Sequence, residues 1–204
     1  MYIKRLACLI FPCFILVSFY LPEVRAQDVV VEDIEVSDLE SRSVVGDYVV
    51  GEEGLEIGSV YLIDRDYFVK DMSKELEGAT FIKTAMDDEG SKGVDFITFK
   101  VDVPVVVWLA TDKRWGSPPK WASDAEEWAE QPDYLVQTNE GDTDIFVLRN
   151  KEFPAGDISL AGNNDAPANL APMYWVFLTR GSGAAAVEAT DKLTATWGKL
   201  KSAR

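Results

Sequence analysis

A chain of 204 residues with a formal charge of −15, two cysteines and no histidine excludes much chemistry before any motif is read. No Ser-His-Asp triad can be assembled, and no zinc or copper site can be held by imidazole. The acidic balance argues against nucleic acid or anionic lipid as partners, and for solubility, cation binding, or a neutral or cationic ligand.

Residues 1–26 read as a secretory signal peptide. Lys4 and Arg5 precede an apolar run from Leu6 to Leu21, and Val24-Arg25-Ala26 supplies a cleavage site. A membrane anchor is the rival reading, but a run of about 16 residues is short for spanning a bilayer. Neither Cys8 nor Cys13 follows a lipoprotein processing motif. Both cysteines fall inside this leader, so the mature chain is expected to have no thiol nucleophile and no disulfide. Its stability must then come from a core, which roughly 180 residues can build. Removing Lys4, Arg5, Glu23 and Arg25 takes the charge to about −17. The expected location is secreted, periplasmic or cell-surface, with no membrane span in the mature chain.

Residues 27–43 form an acidic N-terminal segment with a short strand at 29–31. Strands are expected from VVGDYVV (44–50) and GSVYLIDRDYFV (58–69), with Gly51, Gly54 and Gly58 as punctuation. DMSKEL is a helical turn or a loop, 80–84 a short strand, and Met86-Asp87-Asp88-Glu89-Gly90 an acidic turn. Between Asp95 and Ala110 the apolar residues recur with period two: Ile97, Phe99 and Val101 on one face, then Val105, Val107 and Leu109. Pro104 has no N–H to donate and belongs at a strand start, so the two runs read as a hairpin about Asp102-Val103-Pro104. Phe96 and Thr98, then Val106 and Trp108, make the opposite faces partly apolar, as expected of a sheet covered on both sides.

Residues 111–134 are the least regular stretch. Pro118-Pro119 interrupts it, and Ser123-Asp124 caps a short helix expected to run to Glu130. Strands resume at 134–138 and 144–149 around a turn at Glu140-Gly141-Asp142. Further strands follow at 158–161, after the Phe153-Pro154-Ala155-Gly156 turn, and at 173–180. Nine or ten short strands without a long helix predict an all-β, antiparallel β-sandwich of jelly-roll type over 44–180. From Gly181 the chain reads as a flexible linker and a basic tail, either a frayed extension or a docking or export tag anchored by Trp197.

The ordered set VYLIDRDYFV, TFIKTAMDDEG, FITFKVDVPVVVWLATDKR, PPKW, FPAGDISLAGN and MYWVFL resembles a β-sandwich module of secreted bacterial proteins. That module is often appended to polysaccharide-degrading enzymes of sulfatase, lyase and glycosidase type. The resemblance runs over about 60–178. It departs from the usual pattern at Met86 and Glu89, at Trp108 before Leu109-Ala110-Thr111-Asp112, and at Ala161-Gly162. It implies an accessory or binding domain with no catalytic residues, standing here behind a signal peptide without an enzyme domain.

The sharpest candidate site is the loop Asp112-Lys113-Arg114-Trp115. An indole beside a guanidinium suits a sugar face, with Arg114 and Asp112 bonding hydroxyls. The plainer reading has Asp112 and Arg114 pairing to pin a strand end, with Trp115 packed beneath Pro118-Pro119. Trp121 is a second ligand-binding candidate; on a helix it would share a face with Trp128, a face that equally suits docking on the sandwich. Trp108 and Trp175 are expected in the core. Asp87, Asp88 and Glu89, with Asp64 and Asp66, offer oxygen ligands for Ca²⁺, but without the spacing of an EF-hand loop, and acidic turns are common. Asn163-Asn164-Asp165 suits a turn. No carboxylate pair stands out for glycoside hydrolysis. The function expected is a non-catalytic exported module binding polysaccharide or surface glycan. The alternative is a structural or adhesive surface protein engaging another protein.

Overall fold

The computed structural model describes residues 29–37, 42, 46–115, 118–140, 146–163 and 172–182. The expected signal peptide, Asn164-Asp165, the Gly141-Asp142 turn and the tail with Trp197 lie outside the described residues, as does the Trp115 side chain. The fold is an antiparallel β-sandwich, and its helical elements among the described residues are single 3₁₀ turns.

Among the described residues eleven strands follow in order: β1 Val31–Val36, β2 Val49–Val50, β3 Val69–Met72, β4 Thr80–Lys83, β5 Ile97–Val101, β6 Val105–Asp112, β7 Ala129–Glu130, β8 Val136–Thr138, β9 Phe146–Phe153, β10 Gly156–Leu160 and β11 Trp175–Arg180. A three-stranded sheet has the order β1-β5-β10, and a six-stranded sheet the order β2-β4-β11-β6-β9-β7. β3 and β8 form a separate two-stranded ribbon. The segment read as an acidic N-terminal extension thus supplies β1, and the sandwich takes in residues well before 44.

The expected hairpin at 95–110 is not one. β5 pairs with β1 and β10, while β6 pairs with β11 and β9. The alternation names the buried face correctly, since Ile97, Phe99 and Val101 meet Val105, Val107 and Leu109 in one core. They meet across the sandwich, not along a ladder. Period two reports which face a residue occupies and is silent on the neighbouring strand. Pro104 fits the crossing, because a residue between two sheets needs no ladder donor. Its carbonyl accepts from Gly181 N at 2.9 Å, and the Asp102 carboxylate accepts from Val30 N at 3.0 Å.

The six-stranded sheet is covered on both faces. Its inner face carries Ile82, Val107, Leu109, Val176 and Leu178 into the core shared with the smaller sheet. Its outer face carries Phe81, Trp108, Ala110, Leu148, Trp175 and Phe177, packed under Leu55, Tyr61, Val69, Leu76 and Val136. Trp108 and Trp175 are therefore core residues, of the second core.

The helix expected from Ser123 to Glu130 is replaced by a 3₁₀ turn at Lys120–Ala122, a single tight turn and β7. The Asp124 carboxylate accepts from Glu126 N at 2.9 Å and its carbonyl from Trp128 N at 2.7 Å. The turn stops there because Ala129 and Glu130 pair with Asn150 and Arg149. A free edge on β9 outcompetes a helix too short to stand alone.

Candidate functional site

β6 is flanked on both sides and ends at Asp112, which stands opposite Phe146 of β9. Alternation along β6 puts Asp112 on the same face as Trp108 and Ala110, so its carboxylate is buried at the rim of the outer core. The chain then turns through a 3₁₀ turn, Lys113–Trp115, which brings Arg114 back over that carboxylate. The Arg114 backbone N donates to Asp112 Oδ1 at 2.8 Å, its Nε to Oδ1 and Oδ2 at 3.0 and 3.1 Å, and its Nη2 to Oδ2 at 2.6 Å. Nη2 also donates to Glu140 Oε1.

The guanidinium is thus fixed by two carboxylates, its side chain 37% exposed while those of Asp112 and Glu140 are 2% and 12% exposed. Its pKa lies above the usual arginine value, first through the hydrogen bonds it donates to Asp112 and further through Glu140. The Tyr61 ring lies beneath, stacked on Trp175 at 3.4 Å, with Phe146 edge-on to Trp175 at 4.7 Å. Burial pushes the Tyr61 phenol up; the nearby Thr138 hydroxyl opposes this, and the charge of Glu140 adds to it. Pairing of Asp112 with Arg114 was legible in the sequence. The sequence marks Glu140 only as a turn residue; its meeting with Arg114 spans 26 positions and has no local signal.

Trp121 belongs elsewhere. Its indole Nε1 donates to the Gly162 carbonyl at 3.0 Å, and its ring sits edge-on to Trp128 and to Tyr174, each at 5.5 Å. It packs against the inner core, whereas Asp112 and Arg114 sit over the outer one. The four candidate ligand-binding residues therefore divide between two places. Trp121 and Trp128 do meet, one in a 3₁₀ turn and the other in the bend just before β7, rather than on a helical face.

The LAGN end of the long motif completes this second place. The Tyr174 hydroxyl donates to the Ala161 carbonyl at 2.6 Å, Gly162 N donates to the Gly93 carbonyl at 2.8 Å, and Asn163 N donates to Ser91 Oγ at 2.9 Å. These bonds knit the end of β10 to the start of β11 and to the loop after the acidic turn.

In that acidic turn the carboxylates of Asp87 and Asp88 are engaged. Both Asp87 oxygens accept from Arg65 Nη2 at 2.7 Å. Asp64 accepts from the backbone N–H groups of Met86 and Asp87 at 2.9 and 3.1 Å. Asp88 is fully buried and accepts from Arg42 Nε and from the Tyr48 hydroxyl, each at 2.8 Å. The Glu89 carbonyl accepts from Asn163 Nδ2 at 3.4 Å, and Asp66 is exposed. Among the described residues no three acidic side chains group so as to hold a metal ion.

No protein-family model matches the chain, and no curated protein matches its sequence. Solved structures do resemble it. A β-glucuronidase from glycoside hydrolase family 2 superposes over 68% of the chain with a TM-score of 0.56 at 18% identity. A glycoside hydrolase family 138 enzyme targeting pectin rhamnogalacturonan II aligns over 78% with a TM-score of 0.48 at 15% identity. The chain spans only 14% and 17% of the lengths of those enzymes. At such identity the first likeness establishes the sandwich fold.

Proposed function

We propose that the chain is a non-catalytic exported module that binds extracellular polysaccharide or a surface glycan at the 112–115 turn. The observation that carries this reading is the Arg114 guanidinium, held rigidly at the end of a central strand and still exposed, one residue before Trp115. A fixed donor next in sequence to a tryptophan suits a sugar, whose hydroxyls need placed partners and whose ring face needs apolar area. The fold likeness supports it, because a piece of a β-glucuronidase spanning 14% of that enzyme has the same sandwich. Catalysis forms no part of the reading: Asp112 and Glu140 share one guanidinium, which suits neither to act as an acid with the other as a base. Calcium forms no part of it either, since Asp87 and Asp88 are already paired.

The second reading, a surface protein that engages another protein, draws on Trp121, whose N–H and ring are spent on internal contacts. Affinity electrophoresis of residues 27–204 through gels holding polysaccharides separates the two. Retardation that is abolished in Trp115→Ala, weakened about tenfold in Arg114→Ala, and unchanged by chelator or in Trp121→Phe is the expected result. No retardation on any polymer would reject glycan binding and turn attention to protein partners.

A further inference from the structure

The charges of the 112–115 turn carry a statement about what kind of glycan fits it. A site for a polyuronate or a sulfated polymer needs positive charge that is not already committed. Arg114 spends Nε on Asp112 and both Nη2 hydrogens on Asp112 and Glu140, leaving Nη1 without a partner among the described residues. Lys113 is exposed beside it, yet it too is engaged within the protein. Two acids and two bases thus cancel at the turn. Glu140 has in addition a buried second oxygen, Oε2, with no hydrogen-bond partner among the described residues. Around this balanced turn the whole chain is at −15, which repels a polyanion before contact.

We infer that the 112–115 turn selects uncharged polysaccharide and that Glu140 is a specificity-determining residue, because it cancels the charge with which Arg114 would otherwise hold an anionic sugar. Nη1 of Arg114 then donates to a hydroxyl or ring oxygen, which an uncharged sugar offers as well as an acidic one. The inference rests on the glycan-binding reading above, and the test keeps the two apart.

The mature protein is run through gels of neutral polymers (β-1,3-glucan, xylan, galactomannan) and of anionic ones (polygalacturonate, alginate, carrageenan), at low and at physiological ionic strength. Retardation by a neutral polymer alone, insensitive to salt, is the expected result. Retardation by an anionic polymer, relieved by salt, would overturn the inference and leave glycan binding standing. No retardation anywhere would sink both. Glu140→Gln keeps the shape of the side chain and removes its charge. It should raise polygalacturonate retardation relative to the neutral polymer by about threefold or more at low salt. A ratio unchanged in that variant, with its unfolding midpoint intact, would remove Glu140 from the specificity assignment.

Discussion

Asp88 brings a carboxylate into the sandwich with no exposed surface, and partners that include Arg42 and Tyr48 make that tolerable. Arg42 reaches it from 46 positions away and Tyr48 from 40, each at 2.8 Å. A buried ion pair adds little net stability against an apolar replacement, but leaving one partner alone is severe. Asp88→Ala should therefore destabilise by about 3–5 kcal/mol, since Arg42 would keep a buried, unpaired charge. Tyr48→Phe removes one hydrogen bond to a charged acceptor and should cost about 1.5–3 kcal/mol. Urea unfolding midpoints measure both, and the Tyr48→Phe/Asp88→Ala double variant should fall short of their sum because the phenol has lost its acceptor already. Additive losses would mean that Tyr48 acts through packing alone. The acidic turn was legible as a turn from DDEG. That its charges are answered from 42, 48 and 65 was not, because an ion pair closed by folding leaves no periodic or local mark.

Strands and turns were read with a similar division. Faces were legible, as at Phe99 and Val107, because alternation encodes them directly. Partners were not: β5 and β6 are three residues apart and in different sheets. The loss of the 123–130 helix follows the same logic, since a pairing edge on β9 decides it from outside the segment. One element also carries local strain. In β1, Asp33 has φ of 53°, within a register shift between Glu32 and Glu35 against β5. Such a bulge bends an edge strand away from further pairing, and a left-handed backbone is uncomfortable for any side chain with a Cβ. Asp33→Gly should be neutral or raise stability by up to about 1 kcal/mol, whereas Asp33→Val should lower it by about 1–2 kcal/mol. A stabilising valine in thermal melts would show that the bulge is not held in solution. Gly162 presents the opposite constraint, of space. A Cβ there would meet the Ser91 carbonyl oxygen at 2.5 Å, backbone that cannot step aside. Gly162→Ala should cost about 1–3 kcal/mol and loosen the Trp121 hydrogen bond with it, which a blunted near-ultraviolet dichroism would report.

The whole molecule rests on one six-stranded sheet with a core on each face, and three tyrosines report on both. Tyr48 and Tyr174 lie in the inner core and Tyr61 in the outer one. Burial raises all three phenols above their ordinary 10.0, with the Asp88 charge adding to the effect at Tyr48, the Glu140 charge at Tyr61 and Tyr48 itself at Tyr174. A group whose folded-state pKa is raised contributes stability that is complete below the unfolded value and lost as pH climbs past it. The unfolded chain releases these protons while the folded one retains them. Stability should therefore be insensitive to these groups up to about pH 10 and fall steadily above it. Because β4, β6 and β11 line both cores, neither can open while the other keeps its wall. The three phenols should then ionise in one transition, with phenolate absorbance rising together with loss of the tryptophan dichroism. Tyr61→Phe should remove about a third of the alkaline loss without changing where it begins. Phenolate signal that appears in two steps, the first missing in Tyr61→Phe, would mean that the layer over the outer face opens alone. The shared sheet would then not couple the end of β6, where Arg114 is held, to the stability of the sandwich as a whole.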